Sequence, residues 1–349
     1  MNITEVAKRA KVSTATVSRT INGSSIVSPE TADKVWNVVR ALGYHPNRYA
    51  RALVSGRSHL LGLIISDIVN PFFPELIKSF EEMALQQGLE VLVANTNYDP
   101  ERMSHWVHRM LERKVDGVGI MTSEMEEGLV AELEKRRIPI VFLDTGKVRS
   151  RISNIRVDYG QGIRAAMEHL VQLRHQRIGF ISGPLTLRSA LTRRTAFLES
   201  FGHFGLLPDE TLIQVGDHKI DGGKAAMERL LALPNRPTAV LASNDLTAIG
   251  ALRAIYNANL RIPEDISLVG FDDIYLSQFT QPALTTIRLS RTEVAEKAFN
   301  ALTALINGKS QKGHEYHVET HLIIRNSTGL HGQSPNSRTE RIPSSNLSR

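Results

Sequence analysis

The strongest constraint on the fold of this 349-residue chain is an alternation of short apolar runs with longer amphipathic stretches between residues 60 and 330. Runs such as Leu61–Ser66 and Ala239–Ala242 are apolar almost throughout, which predicts strands that are buried on both faces. The stretches between them have the length and spacing of helices. Buried strands joined through helices form parallel sheets with helices on both sides.

The apolar runs fall into two successive series of the same kind. The first series predicts strands at 61–66, 90–94, 115–121, 139–144 and 155–157, with helices at 73–87, 99–113 and 126–137. The second predicts strands at 177–182, 212–215, 239–242 and 266–271, with helices at 160–173, 189–204, 222–233 and 245–259. A helix at 291–306 and a strand at 315–324 complete the region. Two series in tandem predict an α/β fold of two doubly wound parallel-sheet lobes.

The first 53 residues have a different, all-helical pattern. Asn2 followed by Glu5 fits a capping box at the start of a first helix. Ser13 is placed to cap a second helix, whose inward face is formed by Val17 and Ile21, four residues apart. Two short helices joined by a turn of a few residues, with an exposed polar second helix, describe a helix-turn-helix. In that motif the second helix enters the major groove of DNA.

A third helix and a short fourth one follow. Ser28 and Pro29 suit the start of the third helix, and Gly43 suits its end. The stretch 47–53 has room for only one or two further turns, which are too short to be stable alone. Because this stretch carries two arginines, it fits a hinge helix that orders on DNA.

The basic residues are concentrated at the N-terminus. Residues 1–60 contain nine Lys and Arg against three Asp and Glu, a net charge of +6, whereas residues 61–330 carry a net charge of −2. A basic module on a near-neutral body is the electrostatic pattern of a nucleic-acid-binding protein. The chain has no cysteine and therefore no disulfide framework. It has no signal-peptide pattern and no apolar run of eighteen residues, so we expect a cytoplasmic protein with no membrane partner.

The sequence contains no motif for catalysis or for a cofactor. There is no nucleophile elbow, no phosphate-binding loop and no zinc-protease motif, so we predict neither an enzyme nor a cofactor. The pair His105 and His108 and the group His314, His317 and His321 lack the supporting ligands of a metal site. A sugar-processing enzyme and a secreted solute receptor are the alternatives, but neither requires a helix-turn-helix. Selection from random DNA pools would separate these possibilities.

Three motifs give the N-terminal region a specific resemblance. These are Val12-Ser-Thr-Ala-Thr-Val-Ser-Arg19, Tyr44-His-Pro-Asn-Arg48 and Ala50-Arg-Ala-Leu53, and with them residues 1–58 resemble the headpiece of the LacI/GalR family of bacterial transcription regulators. One departure is Lys11, where many members carry glycine. A left-handed residue at that turn would be modestly strained.

The residues of the second helix suggest how DNA would be read. Thr14 and Ala15 can contact base edges or a thymine methyl group, and Arg19 can reach guanine or a phosphate. Ser13 and Thr16 are better placed for phosphates, although Ser13 serves equally well as a helix cap. The resemblance adds DNA contacts from the hinge helix at the end of the headpiece, at about 47–54, namely Asn47, Arg48, Arg51 and Leu53. By the same resemblance, Leu53 would wedge into a central base step of the minor groove and bend the duplex.

Residues 60–330 resemble the sugar-binding lobes of the same family, which share the periplasmic-binding-protein type I fold, and form the predicted effector-binding domain. The markers include Asn70-Pro-Phe-Phe73, Arg177-Ile-Gly-Phe-Ile181 and Gly270-Phe-Asp-Asp273. The resemblance implies three crossings between lobes and a ligand in the cleft. By analogy the N-lobe comprises residues 60–159 and 290–318, and the C-lobe comprises residues 160–289 and 319–330.

Polar and aromatic side chains that follow the predicted strands are the candidates for effector binding. A cleft for a solute needs an apolar wall and a few convergent polar groups, and parallel strands bring these together at their carboxyl ends. The candidates are Phe72, Phe73, Asp144, Arg193, Asn244 and Asp272. Arg194 is a rival to Arg193, Asp245 is expected to cap a helix, and Leu289 stands where several relatives carry a polar contact.

These features together predict a homodimeric transcription regulator, most often a repressor in such a family. It would bind a pseudo-palindromic double-stranded operator and respond to a small effector, expected to be a sugar or sugar derivative. Whether the effector induces or co-represses is left open, as is a protein co-effector. The stretch 332–349 is rich in Ser, Asn, Pro and Arg, and we predict that it is disordered.

Overall fold

The computed structural model describes residues 2–21, 25–44, 57–122, 125–308 and 311–332. The headpiece is formed by three helices near the N-terminus. They are α1 (Ile3–Ala10), α2 (Thr14–Ile21) and α3 (Pro29–Leu42). The predicted hinge helix at 47–53 lies outside the described residues, and so does residue 333 onward of the predicted disordered stretch.

Local hydrogen bonds explain why the first two helices begin where they do. The Asn2 side chain accepts a hydrogen bond from the Glu5 amide at 3.0 Å, and Ser13 Oγ accepts one from the Thr16 amide at 3.0 Å. The turn between the helices contains Lys11 in the left-handed conformation, with φ 53°. Both caps satisfy amides that a helix start leaves without partners. The strain predicted at Lys11 is therefore present in the turn.

A small apolar core holds the three helices together. The buried residues that form it are Val6, Ala7, Ala10, Val17, Val35, Val39 and Leu42. Ser28 caps α3, Pro29 occupies its first turn, and Gly43 ends it with φ 56°. These contacts confirm the predicted helix-turn-helix with a supporting third helix.

Beyond the headpiece, strands and helices alternate as the sequence predicted. The strands are β1 (Leu60–Ile65), β2 (Glu90–Asn95), β3 (Gly117–Met121), β4 (Ile140–Leu143), β5 (Ile152–Asp158), β6 (Ile178–Ser182), β7 (Ile213–Val215), β8 (Ala239–Ala242), β9 (Ser267–Asp272), β10 (Thr285–Leu289) and β11 (Glu315–Ile323). The helices are α4 (Phe72–Gln86), α5 (Pro100–Glu112), α6 (Glu127–Lys135), α7 (Tyr159–Gln172), α8 (Arg188–His203), α9 (Ile220–Leu231), α10 (Asp245–Asn257) and α11 (Arg291–Ile306). Among the helices of the described residues, none is long and apolar enough to cross a bilayer.

The strands are ordered β2-β1-β3-β4-β5-β11-β10-β9-β8-β6-β7. Strand β11 is shared, because Glu315–Glu319 pairs parallel with β5 and Thr320–Ile323 pairs antiparallel with β10. The strands on the β5 side form the N-lobe sheet, and those on the β10 side form the C-lobe sheet. The two doubly wound lobes predicted from the sequence are therefore linked through one continuous strand.

The two faces of each sheet are covered by different helices, as period-2 side-chain alternation requires. In β1, Leu61 and Leu63 join the apolar cluster that includes residues of α4 and α11, whereas Ile64 joins the cluster that includes residues of α5 and α6. All three side chains are fully buried. Burial on both faces is why these strands read as continuous apolar runs.

Strand β10 was missed by the sequence analysis, which assigned only a helix and a last strand after residue 284. Its sequence, Thr285-Thr-Ile-Arg-Leu289, is short and half polar, but four of its five residues are buried between β9 and β11. We propose that the lobes divide at the predicted boundaries, 60–159 with 290–318 and 160–289 with 319–330. The change of partner within β11 and the packing of α11 against α4 support this division.

Candidate effector cleft and nucleic-acid interface

The second helix of the headpiece presents its first turn to solvent. Thr14, Ala15 and Arg19 are exposed, while Val17 on the opposite face is fully buried in the headpiece core. Ser13 Oγ lies 2.9 Å from Thr16 Oγ1, so both hydroxyl groups are engaged at the start of the helix. This arrangement leaves the Thr14, Ala15 and Arg19 side chains available to a groove of DNA.

The predicted hinge contacts cannot be placed on the same surface. Asn47, Arg48, Arg51 and Leu53 lie outside the described residues, so their roles remain predictions from the sequence.

A cavity lies between the lobes at the carboxyl ends of their strands, as expected for a doubly wound fold. Phe72, Phe73 and Asp144 line it from the N-lobe, and Arg193 and Asp272 line it from the C-lobe. The structure thus brings five of the six predicted effector-binding residues together. The cavity encloses about 80 Å³. This is small beside the roughly 300–1,000 Å³ of most ligand pockets, so a sugar-sized ligand requires the lobes or side chains to move apart.

Arg193 is held firmly in the C-lobe wall. Its guanidinium carbon lies 4.3 Å from the ring centre of Phe271 and 4.8 Å from that of Tyr159, close enough for cation–π contact with both. One terminal nitrogen donates to the Ser243 carbonyl at 2.7 Å, and the other lies 3.8 Å from the Asp272 carboxylate. The Nε atom is buried and has no hydrogen-bond partner among the described residues. A ligand hydroxyl or carbonyl would supply that partner.

Asp272 combines burial, strain and a bridge between the lobes. Its backbone has φ 102°, a conformation that residues other than glycine adopt rarely and that often marks functional sites. Burial raises the pKa of its carboxyl group to about 6, although Arg193 and Arg291 act in the opposite direction. Its carbonyl accepts a hydrogen bond from Arg291 at 2.6 Å, and Arg291 also pairs with Glu75 of α4 at 2.7 Å.

Asp144 makes a second connection across the cleft. It follows β4 in the N-lobe and accepts hydrogen bonds from the Val157 amide, at 2.8 Å, and from the hydroxyl group of Tyr159 at the start of α7. Burial raises the pKa of Asp144 and raises that of Tyr159 well above its ordinary value. Because Tyr159 also lies under the Arg193 guanidinium, a hydrogen bond and a ring contact link Asp144 to Arg193.

His218 lines the cavity but was missed in the sequence analysis. Burial, with a smaller contribution from Arg193, lowers its pKa to about 3, so the imidazole is neutral at physiological pH. Its Nε2 atom is buried without a hydrogen-bond partner among the described residues. Gly183 makes room for this ring, because a Cβ atom there would lie 1.4 Å from Nε2. The only sequence signal was its position three residues beyond the end of β7.

Asn244 lies outside the cavity, in contrast to the sequence prediction. Its Oδ1 accepts from the Thr247 amide at 2.9 Å and its Nδ2 donates to the His218 carbonyl at 2.9 Å, so it caps α10 and supports the loop that holds His218. The capping role expected for Asp245 therefore falls to Asn244. Asp245 is fully buried and accepts from the Ile274 amide at 2.8 Å and from the Thr286 hydroxyl at 2.6 Å.

The structure places the two adjacent arginines on different sides of α8. Arg194 points away from the cavity and pairs with Glu210 at 2.7 Å, whereas Arg193 lines the cavity. The remaining wall is mixed, because apolar and aromatic residues alternate there with the polar residues Ser66, Asn70, Thr122 and Ser189. Its apolar part includes Leu289, as well as Phe72 and Phe73, whose rings pack edge to face at 5.4 Å. Such a site can bind a ligand with polar edges and an apolar face.

Comparisons with known proteins agree with this architecture. The profile described as "Bacterial regulatory proteins, lacI family" matches residues 2–47, and that of the periplasmic binding protein-like domain matches residues 167–328. The HTH-type transcriptional repressor PurR of Klebsiella pneumoniae (strain 342) is 34% identical over 327 residues, 93% of this chain and 96% of the relative. PurR of Escherichia coli O139:H28 is 35% identical with the same coverage.

Two solved structures extend the similarity to the whole fold. The Lac repressor dimer bound to operator and the anti-inducer ONPF has a TM-score of 0.84 and 30% identity, covering 94% of this chain and 99% of that chain. The complex of the transcriptional regulator CelR with cellobiose has a TM-score of 0.71 and 28% identity, with the same coverage.

A helix-turn-helix headpiece joined to a two-lobed, periplasmic-binding-protein-like body defines a class of ligand-responsive transcription regulators. The chain belongs to the lacI family of bacterial regulatory proteins. The prediction of a helix-turn-helix transcriptional repressor, and not an enzyme, is thereby confirmed at the level of the family.

Proposed function

We propose that this protein represses transcription by binding a pseudo-palindromic operator through α2 of two headpieces. The observation that carries this proposal is the exposed face of α2, where Thr14 and Ala15 in the first turn and Arg19 one turn further lie above a buried headpiece core. In this reading Thr14 and Ala15 contact bases, Ser13 and Thr16 contact phosphates, and Arg19 contacts either. The protein would act in the cytoplasm, where its operator is found.

The hinge completes the proposed DNA interface. Asn47, Arg48 and Arg51 would contact the minor groove, and Leu53 would wedge between base pairs. This part of the proposal rests on the sequence motif alone.

We infer that the active form is a homodimer joined through an apolar patch of the C-lobe. The patch consists of Tyr256, Tyr275, Leu276 and Phe279, which are 38–64% exposed, and the Tyr275 and Phe279 rings lie 4.9 Å apart. Exposed apolar side chains grouped in this way are typical of protein interfaces. A two-fold dimer matches a two-fold operator, and the solved Lac repressor neighbour is a dimer bound to operator.

We further propose that the interlobe cavity binds a sugar or sugar derivative as the effector. The unpartnered Nε atom of Arg193 and the Asp272 carboxylate offer a donor and an acceptor to hydroxyl groups, and the neutral His218 ring can act as either. Phe72 and Phe73 offer an apolar face. Solved neighbours at 26–28% identity hold cellobiose or ribose, which supports this class of ligand.

The contacts across the cleft suggest how effector binding reaches the headpiece. Arg291 joins the Asp272 carbonyl in the C-lobe to Glu75 in the N-lobe, and the Tyr159 hydroxyl joins Asp144 to the wall beside Arg193. A ligand that pulls on Asp272 or Arg193 changes both connections. The lobes would then change orientation, and the hinge would shift between its ordered and disordered states.

Selection from a random pool of duplex DNA tests the DNA-binding proposal. We expect the full-length chain to enrich one two-fold symmetric site. A pool that stays random, or enrichment of a site without symmetry, would contradict the proposal.

A thermal-shift screen of sugars, sugar phosphates, nucleobases and amino acids tests the effector class. A response confined to nucleobases or amino acids would replace the sugar assignment.

A further inference from the structure

A second concave site lies at the amino-terminal edge of the N-lobe sheet, opposite the interlobe cleft. Its lining includes five basic residues, Arg57, Lys114, Arg136, Arg137 and Arg151, and apolar residues such as Ile138. We call this site the basic pocket. Its volume of about 370 Å³ lies within the range of small-molecule sites.

The basic pocket contains few acidic groups that could neutralise its positive charge. Asp116 is the acidic residue of the lining, and its carboxylate already accepts from the Ser58 amide, the Ser58 hydroxyl and the His59 amide at 2.8–3.0 Å. The side chains of Lys114, Arg136 and Arg137 form no ion pair within the part of the chain that the structure describes. Five cations therefore share one concavity with a single carboxylate that already accepts three hydrogen bonds.

Three of the five basic residues also adopt a backbone conformation that is unfavourable for a long side chain. Lys114, Arg137 and Arg151 all adopt the left-handed conformation, with φ of 52°, 56° and 58°. Glycine would fit these turns with less strain, yet each position carries a long basic side chain. Cations near helix C-termini offset the helix dipole, which accounts for some of the charge beside α5, α6 and α11. That effect does not require five cations around three helix ends.

We propose that the basic pocket binds a small phosphate-bearing ligand with at least two negative charges, independently of the interlobe cleft. Guanidinium groups match phosphate oxygens in a bidentate manner, and four of the five cations are arginines. The concave shape and apolar lining residues favour a small organic or inorganic phosphate over the backbone of duplex DNA, which presents a convex surface.

Calorimetry with pyrophosphate at constant ionic strength tests this proposal on the full-length chain. We expect saturable binding, weakened about tenfold or more in the double variant Arg136→Gln/Arg137→Gln. Both side chains are exposed, so the variant should fold normally. The matched control Arg113→Gln, adjacent to the pocket but outside its lining, should keep the wild-type affinity, and so should Asp272→Asn in the interlobe cleft.

Two results would overturn the assignment. One is the absence of saturable pyrophosphate binding, or equal weakening by Arg113→Gln and by the double variant, which would indicate nonspecific attraction. The other is a double variant that binds pyrophosphate as well as the wild type but loses affinity for long operator duplexes and not for minimal ones. In that case the pocket would serve DNA. Operator binding by the wild-type chain is measured separately, so the failure of either proposal can be recognised.

Discussion

At the scale of single residues, the cleft depends on buried polar groups whose partners come from both lobes. Arg193 is oriented by Ser243, Tyr159 and Phe271, and it faces Asp272. An arginine fixed in this way loses little side-chain freedom when a ligand binds. The cost of removing it should therefore appear mainly as lost effector affinity.

Replacing Asp272 with Asn or Arg193 with Ala should weaken effector binding about tenfold to a hundredfold, because a hydrogen bond to a charged group is worth roughly 1.5–3 kcal/mol. Calorimetry with the effector found by screening provides the measurement. Arg194→Gln is the matched control, since Arg194 pairs with Glu210 outside the cavity. Wild-type affinity in both cleft variants would remove Asp272 and Arg193 from the site.

His175 should make the stability of the C-lobe depend on pH. Its ring contacts Thr238 Oγ1 and the Gly329 carbonyl, and burial lowers its pKa from 6.5 to about 4. The unfolded chain takes up a proton near pH 6.5 but the folded chain does not, so stability is lost as pH falls from 6.5 towards 4. We expect this loss to be about 2 kcal/mol.

Denaturation of wild type and His175→Gln at pH 7.5 and pH 4.5 measures this contribution. The stability difference between the two pH values should be smaller in the variant. His203→Gln, at the end of α8, should behave as the wild type does. An equal pH dependence in the wild type and His175→Gln would exclude His175 as the cause.

At the scale of helices and strands, the pattern of apolar residues was sufficient to predict the position of an element wherever its burial follows a regular pattern. Strands buried on both faces, such as β1 and β8, were predicted within one residue, and α11 was predicted at its observed bounds. Strand β10 was missed because its Thr-rich sequence is buried by its neighbours β9 and β11, which a local pattern cannot indicate.

The candidate site was predictable only in part for a related reason. Residues at the carboxyl ends of predicted strands were expected to lie at the edge of the cleft. This rule correctly placed Asp144 and Asp272 in the cavity lining. The same rule gave Asn244, whose side chain caps α10, and it overlooked His218, which lies on a loop beyond β7. Which loop residue turns into a cleft depends on side-chain contacts between segments distant in the sequence, such as those between Asn244 and His218.

The first turn of α2 should determine which operator sequence is selected. Replacing Thr14 with Asn and Ala15 with Gln should change the preferred half-site, because each good base contact discriminates by about 1–3 kcal/mol. Selection from random DNA provides the measurement. Changes at exposed positions of α3, Lys34→Gln with Asn37→Ala, should leave the half-site unaltered. A half-site unchanged by the α2 variant would remove Thr14 and Ala15 as the specificity residues.

At the scale of the whole molecule, two headpieces must be held together if they are to read a symmetric operator. The proposed connection is the apolar patch of the C-lobe, far in sequence from the headpiece. Linking two binding modules raises their joint affinity by a factor of about a hundred to ten thousand. Dimer formation should therefore be inseparable from tight operator binding.

The double variant Leu276→Lys/Phe279→Lys should be a monomer in sedimentation experiments and should bind operator about a hundredfold or more weakly. Leu207→Lys is the control, because Leu207 is 89% exposed and is not part of the patch. A double variant that remains a dimer would place the interface elsewhere.

The central claim is that this chain binds a specific operator through a basic headpiece. Titration of the full-length protein with its selected duplex and with a scrambled duplex, between 50 and 200 mM salt, tests it most directly. Neutralising roughly 6–10 phosphates predicts a loss of affinity on the order of a thousandfold over that range, with the selected duplex preferred at every salt concentration. An affinity that hardly changes with salt, or that is equal for both duplexes, would contradict the claim.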